Sequence, residues 1–311
     1  MGRDRQKISR RTALATMGAV AATSLAGPRR TWAAPEGPLT KAIPATGERL
    51  PVIGMGSWIT FNVGDDAALR DDRVEVLRTF FERGGAVVDS SPMYGSSEEV
   101  IGYCLKRLNH PPSLFAATKV WTPFQWLGVR QMQASEALWG TARFDLMQIH
   151  NLLDWEAHLE TLLARRAQGR VRYIGVTTSH GSRHDELEKI MAGQPIDFVQ
   201  FTYNVLDRTA ERRLLPLAAE RGLAVIVNRP FRRGALFESI GRHPLPDWAA
   251  DIDCANWAQV FLKFIVSHPA VTCAIPATSR VDHMTENMGA ATGRLPDAGM
   301  RMRMIETTER L

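Results

Sequence analysis

Short apolar runs alternate with amphipathic segments along most of the chain. After a Pro/Gly-rich lead over residues 34–51, strand-like runs rich in Val, Ile and Phe recur, and most are followed by a segment whose apolar residues have helical spacing. The strand candidates are residues 52–58, 86–90, 113–121, 145–150, 171–178, 197–204, 223–230 and 271–279. The pattern therefore predicts eight strands that alternate with helices.

The helical segments have recognisable starts and ends. The first predicted helix is closed by Gly84 and Gly85, and the second is opened by Ser97. The predicted helices are residues 72–85, 97–108, 130–140, 155–168, 185–191, a segment ending at 222, an additional stretch at 255–268, and a segment beginning at 281. Continuous apolar strands between amphipathic helices indicate an α/β fold with a parallel sheet covered by helices. Eight units, without a G-x-G-x-x-G after the first strand, favour a single-domain (β/α)₈ TIM barrel over an open doubly wound sheet.

The positive charge of the chain is concentrated at its amino terminus. The formal net charge is +5, but residues 1–34 hold seven Lys/Arg and one acid, which leaves 31 basic and 32 acidic residues beyond them. A nearly neutral remainder gives no reason to expect nucleic-acid binding, and no segment has the roughly 18 consecutive apolar residues of a membrane span. The three cysteines have neither metal-like nor redox-pair spacing, so no metal site is expected.

The basic amino terminus has the organisation of an export signal. Arg10 and Arg11 precede a weakly apolar stretch that ends near small residues, and Arg29 and Arg30 follow it. Ser9, the arginine pair and Leu14 resemble a bacterial twin-arginine signal. The resemblance implies the twin-arginine translocation machinery as a partner and a periplasmic or otherwise exported mature protein. Residues 1–34 are therefore predicted to be a signal peptide and residues 35–311 the barrel; a disordered basic tail is the alternative.

Chemistry-bearing side chains stand at the predicted strand ends. Asp89 ends the second strand, Lys119 the third and His150 the fourth, and Tyr94 lies in the loop after Asp89. Singly, each residue has a structural explanation such as a turn, a solvated charge or a packed ring. Because the carboxyl ends of barrel strands share one mouth, these four side chains are expected to meet there.

Together the four residues suggest proton transfer to a carbonyl oxygen. A phenol has an unperturbed pKa of about 10, and an adjacent ammonium is expected to lower the Tyr94 pKa. Asp89 can hold Lys119 in its charged form, and His150 can hydrogen-bond the substrate oxygen. Tyr94 then serves as the acid in reduction and as the base in oxidation.

In these motifs the sequence resembles the aldo-keto reductase family. Asp89, the Tyr94-Gly95 pair that follows it, Lys119 in "TKVW" and His150 in "QIHN" match the family's catalytic tetrad in order and position. The resemblance runs from about Val52 to Asn287. It implies NADP(H)-dependent hydride transfer between a nicotinamide and an aldehyde or ketone, with the cofactor extended across the barrel mouth.

The resemblance also implies cofactor positions in the second half of the chain. Gln200 matches the residue that holds the carboxamide, Thr177 and Thr178 stand where the family often has Ser-Asn, and Asn228 stands where many members stack an aromatic ring. Further matches are Pro230 and Gly234 in the pyrophosphate loop, Ser279 and Arg280 near the 2′-phosphate, and Glu286 and Asn287 near adenine.

Four aromatic residues follow the first and third strands. Trp58, Trp121, Phe124 and Trp126 are expected to line an apolar pocket for a small carbonyl or alcohol substrate, with core packing as the alternative for each.

Two other functions remain open from the sequence. One is a nicotinamide-binding sensor or accessory subunit with little turnover. The other is a phosphate-sugar isomerase barrel, which is disfavoured because "VTCAIPATSR" lacks a Gly-rich phosphate loop.

The export signal predicts a specific defect. Replacement of Arg10 and Arg11 by lysine should retain the precursor in the cytoplasm, because the paired guanidinium groups and not their charge alone define the signal. Cell fractionation measures the outcome, and the conservative double change of Arg3 and Arg5 to lysine provides a matched control. A fully periplasmic Arg10/Arg11 variant contradicts the twin-arginine interpretation.

Overall fold

The computed structural model describes Met1, residues 37–179 and residues 181–311, without the side chain of Ser182. Apart from Met1, the predicted export signal lies outside the described residues, so its role and the boundary at residue 34 stay predictions. Among the described residues, no helix has the length and apolar character needed to cross a membrane.

Eight parallel strands form a nearly closed barrel in the described part of the chain. They are hydrogen-bonded in sequence order around the barrel, and parallel bridges pair Ile53 with Ala274 and Gly56 with Ala277 across the remaining gap. The strands are β3 (Met55–Gly56), β4 (Val87–Asp89), β5 (Phe115–Val120), β6 (Phe144–Ile149), β7 (Val171–Thr177), β8 (Phe198–Thr202), β9 (Ala224–Asn228) and β10 (Cys273–Ala274). The predicted (β/α)₈ barrel is confirmed.

Helices lie between successive strands, and their ends follow local side-chain chemistry. The Asp66 carboxylate accepts from the Leu69 amide at 2.9 Å to begin the first helix, and Gly140 and Gly222 end two others with φ of 65°. The helices are α1 (Ala67–Glu82), α2 (Ser97–Arg107), α3 (Gln125–Trp139), α4 (Trp155–Ala167), α5 (His184–Gly193), α6 (Leu214–Arg221), α7 (Ala235–Ser239), α8 (Trp257–Val266), α9 (Val281–Gly289) and α10 (Ala298–Arg310).

Residues 34–51, which the sequence analysis treated only as a lead segment, contain a β-hairpin. Strands β1 (Thr40–Ala42) and β2 (Arg49–Pro51) pair antiparallel. Ile43 and Leu50 pack in one apolar cluster with residues from the barrel strands, among them Phe115 and Phe198. Alternation of apolar and polar residues is weak over this short hairpin, which explains why the sequence pattern missed it.

Helical structure continues further toward the carboxyl terminus than the sequence pattern indicated. The prediction ended the regular structure with the helix that begins at Val281, whereas α10 follows it. Arg301 anchors α10, since its guanidinium donates to the Tyr203 hydroxyl at 2.6 Å and to Glu211 at 3.0 Å. Met304 is buried in the hydrophobic core and Met300 packs against it, but polar and charged residues dominate the helix, so its apolar periodicity is weak.

Alternation along the strands produces two distinct apolar layers and one polar layer. Outward-facing residues such as Val88, Val199 and Val227 pack with the helices in the larger core cluster. Inward-facing residues such as Val87 and Phe115 pack with the hairpin inside the barrel. Two or four residues further along the same strands, the inward positions are occupied by the polar residues of the mouth.

Candidate active site

An ion pair lies at the centre of the mouth. Lys119 Nζ donates to Asp89 Oδ2 at 2.5 Å and to the Ser90 carbonyl at 2.7 Å. Both side chains are almost completely buried. The pairing follows from the register, because β4 and β5 are neighbours and each contributes its inward-facing residue near its carboxyl end.

Side-chain amides occupy the remaining carboxylate oxygen. Asp89 Oδ1 accepts from Gln148 Nε2 at 2.8 Å and from Gln200 Nε2 at 3.1 Å. Asn228 Nδ2 donates in turn to Gln200 Oε1 at 3.3 Å. An amide chain, defined here as Gln148, Gln200 and Asn228, therefore connects Asp89 with the opposite side of the barrel.

Tyr94 and His150 lie beside the ion pair. The Tyr94 ring centroid is 5.2 Å from Lys119 Nζ and 5.7 Å from the His150 ring, which it meets edge-on at 86°. Nδ1 of His150 is 2.8 Å from the Ser91 hydroxyl. The structure thus brings together all four residues of the predicted tetrad (Asp89, Tyr94, Lys119 and His150).

Burial and charge determine the protonation states of these residues. Burial lowers the pKa of Lys119, but Asp89 and Tyr94 outweigh burial and raise it above its usual value, so the ammonium is retained. Burial, and then Lys119, lowers the pKa of His150 from 6.5 to about 2, so its ring is neutral at physiological pH.

The expected direction of the Tyr94 pKa is wrong for this structure. Burial raises the Tyr94 pKa above its usual value of 10, and the opposing effect of Lys119 does not reverse that rise. The sequence indicated the neighbouring ammonium but gave no measure of desolvation, which is here the larger effect.

The predicted nicotinamide residues line the mouth beside the tetrad. Gln200, Thr177 and Thr178 are buried, and Thr178 Oγ1 has no hydrogen-bond partner among the described residues. Gln200 is already held by Asp89 and Gln148, so one of its amide N–H groups is committed to the tetrad. Asn228 is fixed by its bond to the Thr178 carbonyl at 2.9 Å.

The loop after β9 is strongly basic and has strained backbone. Arg229, Arg232 and Arg233 have φ of 51°, 49° and 60°, and Gly234 follows at 97°. Arg229 Nε is buried and has no partner among the described residues. Pro230, also predicted to contact the cofactor, is buried within this loop. Three guanidinium groups and an unsatisfied N–H make the loop suitable for a pyrophosphate.

Two of the predicted adenosine-end residues, Ser279 and Arg280, lie between β10 and α9, and the other two, Glu286 and Asn287, lie on α9. The Ser279 carbonyl accepts from buried Arg73 at 3.2 Å, while the Arg280 guanidinium is exposed and pairs with Asp282 through Nε at 3.0 Å. Asn287 is buried on α9, and the Glu286 carbonyl accepts from Gln259 at 3.2 Å. Arg280 therefore has a competing carboxylate, which the sequence prediction did not take into account.

Three of the four predicted pocket aromatics are exposed to solvent and are not packed in the core. Trp121, Phe124 and Trp126 are 39%, 61% and 58% exposed, which excludes core packing. Phe124 is held at φ 68° while its amide donates to Asp154 at 3.0 Å. Trp58 is half-buried, with the Arg233 guanidinium 4.4 Å from its ring centroid.

Two contributing residues were missed by sequence reasoning. Gln148 stands two residues before His150, so strand alternation places both on the inward face, and that spacing was an available signal. Ser91 gave no comparable signal, since a serine after a strand is ordinary turn composition. No group of three potential metal-ligating side chains occurs among the described residues.

A family model and two known relatives match most of this chain. A model of the Aldo/keto reductase family matches residues 52–303. The chain is 29% identical to the methylglyoxal reductase YeaE of Escherichia coli, over 81% of this chain and 89% of that protein. It is 29% identical to the aldo-keto reductase str7 of Strobilurus tenacellus, over 73% and 78%.

Solved structures show the same architecture. A Klebsiella pneumoniae aldo-keto reductase crystallised with NADPH has a TM-score of 0.74 at 23% identity, covering 87% of this chain and 95% of that one. At this identity the likeness concerns the fold.

The low pKa of His150 predicts a pH dependence of stability. Below the unfolded-state pKa of 6.5 the unfolded chain binds a proton at this residue and the folded chain does not, so stability falls from about pH 6.5 downwards. Between about pH 7.5 and pH 5, His150→Asn should lose about 2 kcal/mol less unfolding free energy than wild type. Denaturant titrations measure it, with the exposed His110→Asn as the control. Parallel pH curves for wild type and His150→Asn contradict the prediction.

Proposed function

Since this chain belongs to the aldo/keto reductase family, we propose that it is an NADP(H)-dependent oxidoreductase that reduces an aldehyde or ketone to an alcohol, or catalyses the reverse. The observation that carries the proposal is the buried Lys119 ammonium, held 2.5 Å from Asp89 and 5.2 Å from the centre of the Tyr94 ring. A hydroxyl acid beside a fixed cation is suited to giving a proton to a developing alkoxide.

Each tetrad residue has a distinct part in this proposal. Tyr94, with its raised pKa, stays protonated at neutral pH and so begins the reduction as an acid. After proton transfer, the Lys119 ammonium stabilises the phenolate, and Asp89 keeps Lys119 in position. Neutral His150 contacts the Tyr94 ring edge-on and provides a hydrogen bond that orients the substrate oxygen.

The residues at the mouth fit a nicotinamide dinucleotide. Thr178 Oγ1 and Arg229 Nε are buried polar atoms without a described partner, as expected for groups that meet a polar ligand. Thr178 and Gln200 would hold the carboxamide, and Arg229 and Arg233 would hold the pyrophosphate. The nicotinamide, when bound, supplies or accepts the hydride. Arg280 supports NADP(H) as the form bound, because a guanidinium recognises the additional phosphate.

A small carbonyl compound is the proposed substrate class. The similarity to a methylglyoxal reductase supports a small aldehyde or ketone. Exposed Trp121 and Phe124 offer apolar contact area at the mouth. We also propose that the protein is exported after removal of residues 1–34, and fractionation of the Arg10/Arg11 variant tests this.

The acid role of Tyr94 predicts a selective loss of turnover. Tyr94→Phe removes the transferable proton, so reduction of methylglyoxal or 4-nitrobenzaldehyde should fall by at least roughly 10²-fold while nucleotide binding is retained. Consumption of NADPH measures the rate. Tyr103→Phe is the matched control, because that hydroxyl donates to Asp71 away from the tetrad. Near wild-type turnover in Tyr94→Phe contradicts the mechanism, and absence of turnover in wild type with both aldehydes favours the sensor function.

The Arg280 contact predicts nucleotide preference. Arg280→Ala should weaken NADPH affinity by roughly 10-fold and barely change NADH affinity. Asp282→Asn should strengthen NADPH binding, because it releases the guanidinium from its present partner. Calorimetric titration of both nucleotides measures the affinities. Arg294→Ala is the control, since Arg294 also pairs with an aspartate, Asp253. An unchanged NADPH affinity in Arg280→Ala removes this residue from the site.

A further inference from the structure

Ser91 connects the histidine of the tetrad with the turn that carries the tyrosine. Its hydroxyl is fully buried and lies 2.8 Å from His150 Nδ1. The same oxygen accepts from the Met93 amide at 3.3 Å, and the Ser91 carbonyl accepts from the Tyr94 amide at 3.0 Å. One serine therefore fixes both the turn and the orientation of the imidazole ring.

The protons at this contact can be assigned by counting donors and acceptors. A serine hydroxyl has one proton and two lone pairs, and the Met93 N–H occupies one lone pair. Among the described residues, His150 Nδ1 is the only hydrogen-bond acceptor within reach of the Ser91 hydroxyl proton. If His150 donated instead, the buried hydroxyl proton would be left without this acceptor, at a cost of about 1–3 kcal/mol. Donation from Ser91 to Nδ1 satisfies both the hydroxyl proton and the Nδ1 lone pair.

The state of the imidazole makes this assignment matter. Burial and Lys119 hold the pKa of His150 at about 2, so the ring carries a single proton. That proton is on Nδ1 or on Nε2. The hydrogen bond made by one nitrogen determines whether the other nitrogen carries the proton. Nε2 has no hydrogen bond to a described residue, so it is the nitrogen left for a substrate oxygen. A carbonyl oxygen needs a donor there.

We propose that Ser91 is a positioning residue, whose hydroxyl donates a hydrogen bond to His150 Nδ1 and thereby fixes His150 as the Nε2–H tautomer. Only that tautomer of the neutral ring donates a hydrogen bond from Nε2 to a carbonyl oxygen. The catalytic consequence rests on the proposed carbonyl reduction, whereas the tautomer is a property of the protein itself.

The tautomer can be measured directly in the full-length protein. In protein labelled with ¹⁵N-histidine, two-bond nitrogen–proton correlation spectra distinguish Nδ1–H from Nε2–H, and His150→Asn assigns the signals. Wild type, with and without NADPH, should show Nε2–H for His150. A wild-type spectrum with Nδ1–H overturns the proposal irrespective of how any Ser91 variant folds.

Removal of the Ser91 hydroxyl provides the second part of the experiment. Ser91→Ala should shift His150 toward Nδ1–H or a mixture of tautomers and lower kcat for methylglyoxal roughly 3- to 10-fold, with NADPH affinity unchanged. Ser97→Ala is the matched control, because the hydroxyl of this buried serine contacts the Ser90 hydroxyl and no tetrad side chain. An unaltered Nε2–H signal in Ser91→Ala overturns the proposal.

The two readouts separate this inference from the proposed function. If wild type shows no turnover, the spectra still report whether Ser91 determines the tautomer. If turnover is present and kcat is lost in Ser91→Ala without a change of tautomer, Ser91 acts through packing, and the proposal is again overturned.

Discussion

The buried ion pair between Lys119 and Asp89 is the constraint on which the rest of the mouth depends. Taking two charges out of water costs several kcal/mol for each ion, and only close pairing with additional hydrogen bonds compensates that cost. The structure supplies them: the Ser90 carbonyl accepts from the ammonium, and two side-chain amides donate to the carboxylate. The polar residues around the pair are therefore needed for the charges to be present at all. The same environment keeps the neighbouring histidine neutral and the phenol protonated.

Catalytic polarity and apolar packing occupy different levels of the same strands. On β5, Phe115 packs inside the barrel, and four residues later Lys119 faces the mouth. On β8, Phe198 packs inside the barrel, and Gln200, the next inward-facing residue, faces the mouth. The alternation of strands thus allows one short segment to provide both a packed interior and a reactive surface. Strained residues are found in the loops above, where Phe124 and Arg232 have positive φ.

The sequence predicted the barrel and the tetrad because both depend on periodicity and strand ends. Asp89, Lys119 and His150 each end a predicted strand, which is enough to place them at one mouth. Individual side-chain contacts could not be predicted: the pairing of Arg280 with Asp282 depends on a rotamer, and the bond between Ser91 and His150 joins residues 59 positions apart. The direction of the Tyr94 pKa was missed for a related reason, since desolvation depends on what covers a side chain. The hairpin and α10 were missed because apolar residues are few in both segments, so that their periodicity is a weak signal.

The hairpin at the start of the described barrel has a consequence for the supply of protons. Ile43 and Leu50 pack with the inward-facing apolar residues of the strands, so a layer of apolar side chains lies between the hairpin and the tetrad. An acid that has given up its proton must be recharged before the next cycle. Recharging must therefore take place from the mouth, through the opening by which the ligands themselves enter and leave. In such an arrangement, product departure and reprotonation share a single path, and whichever molecule fills the mouth also controls the return of the proton.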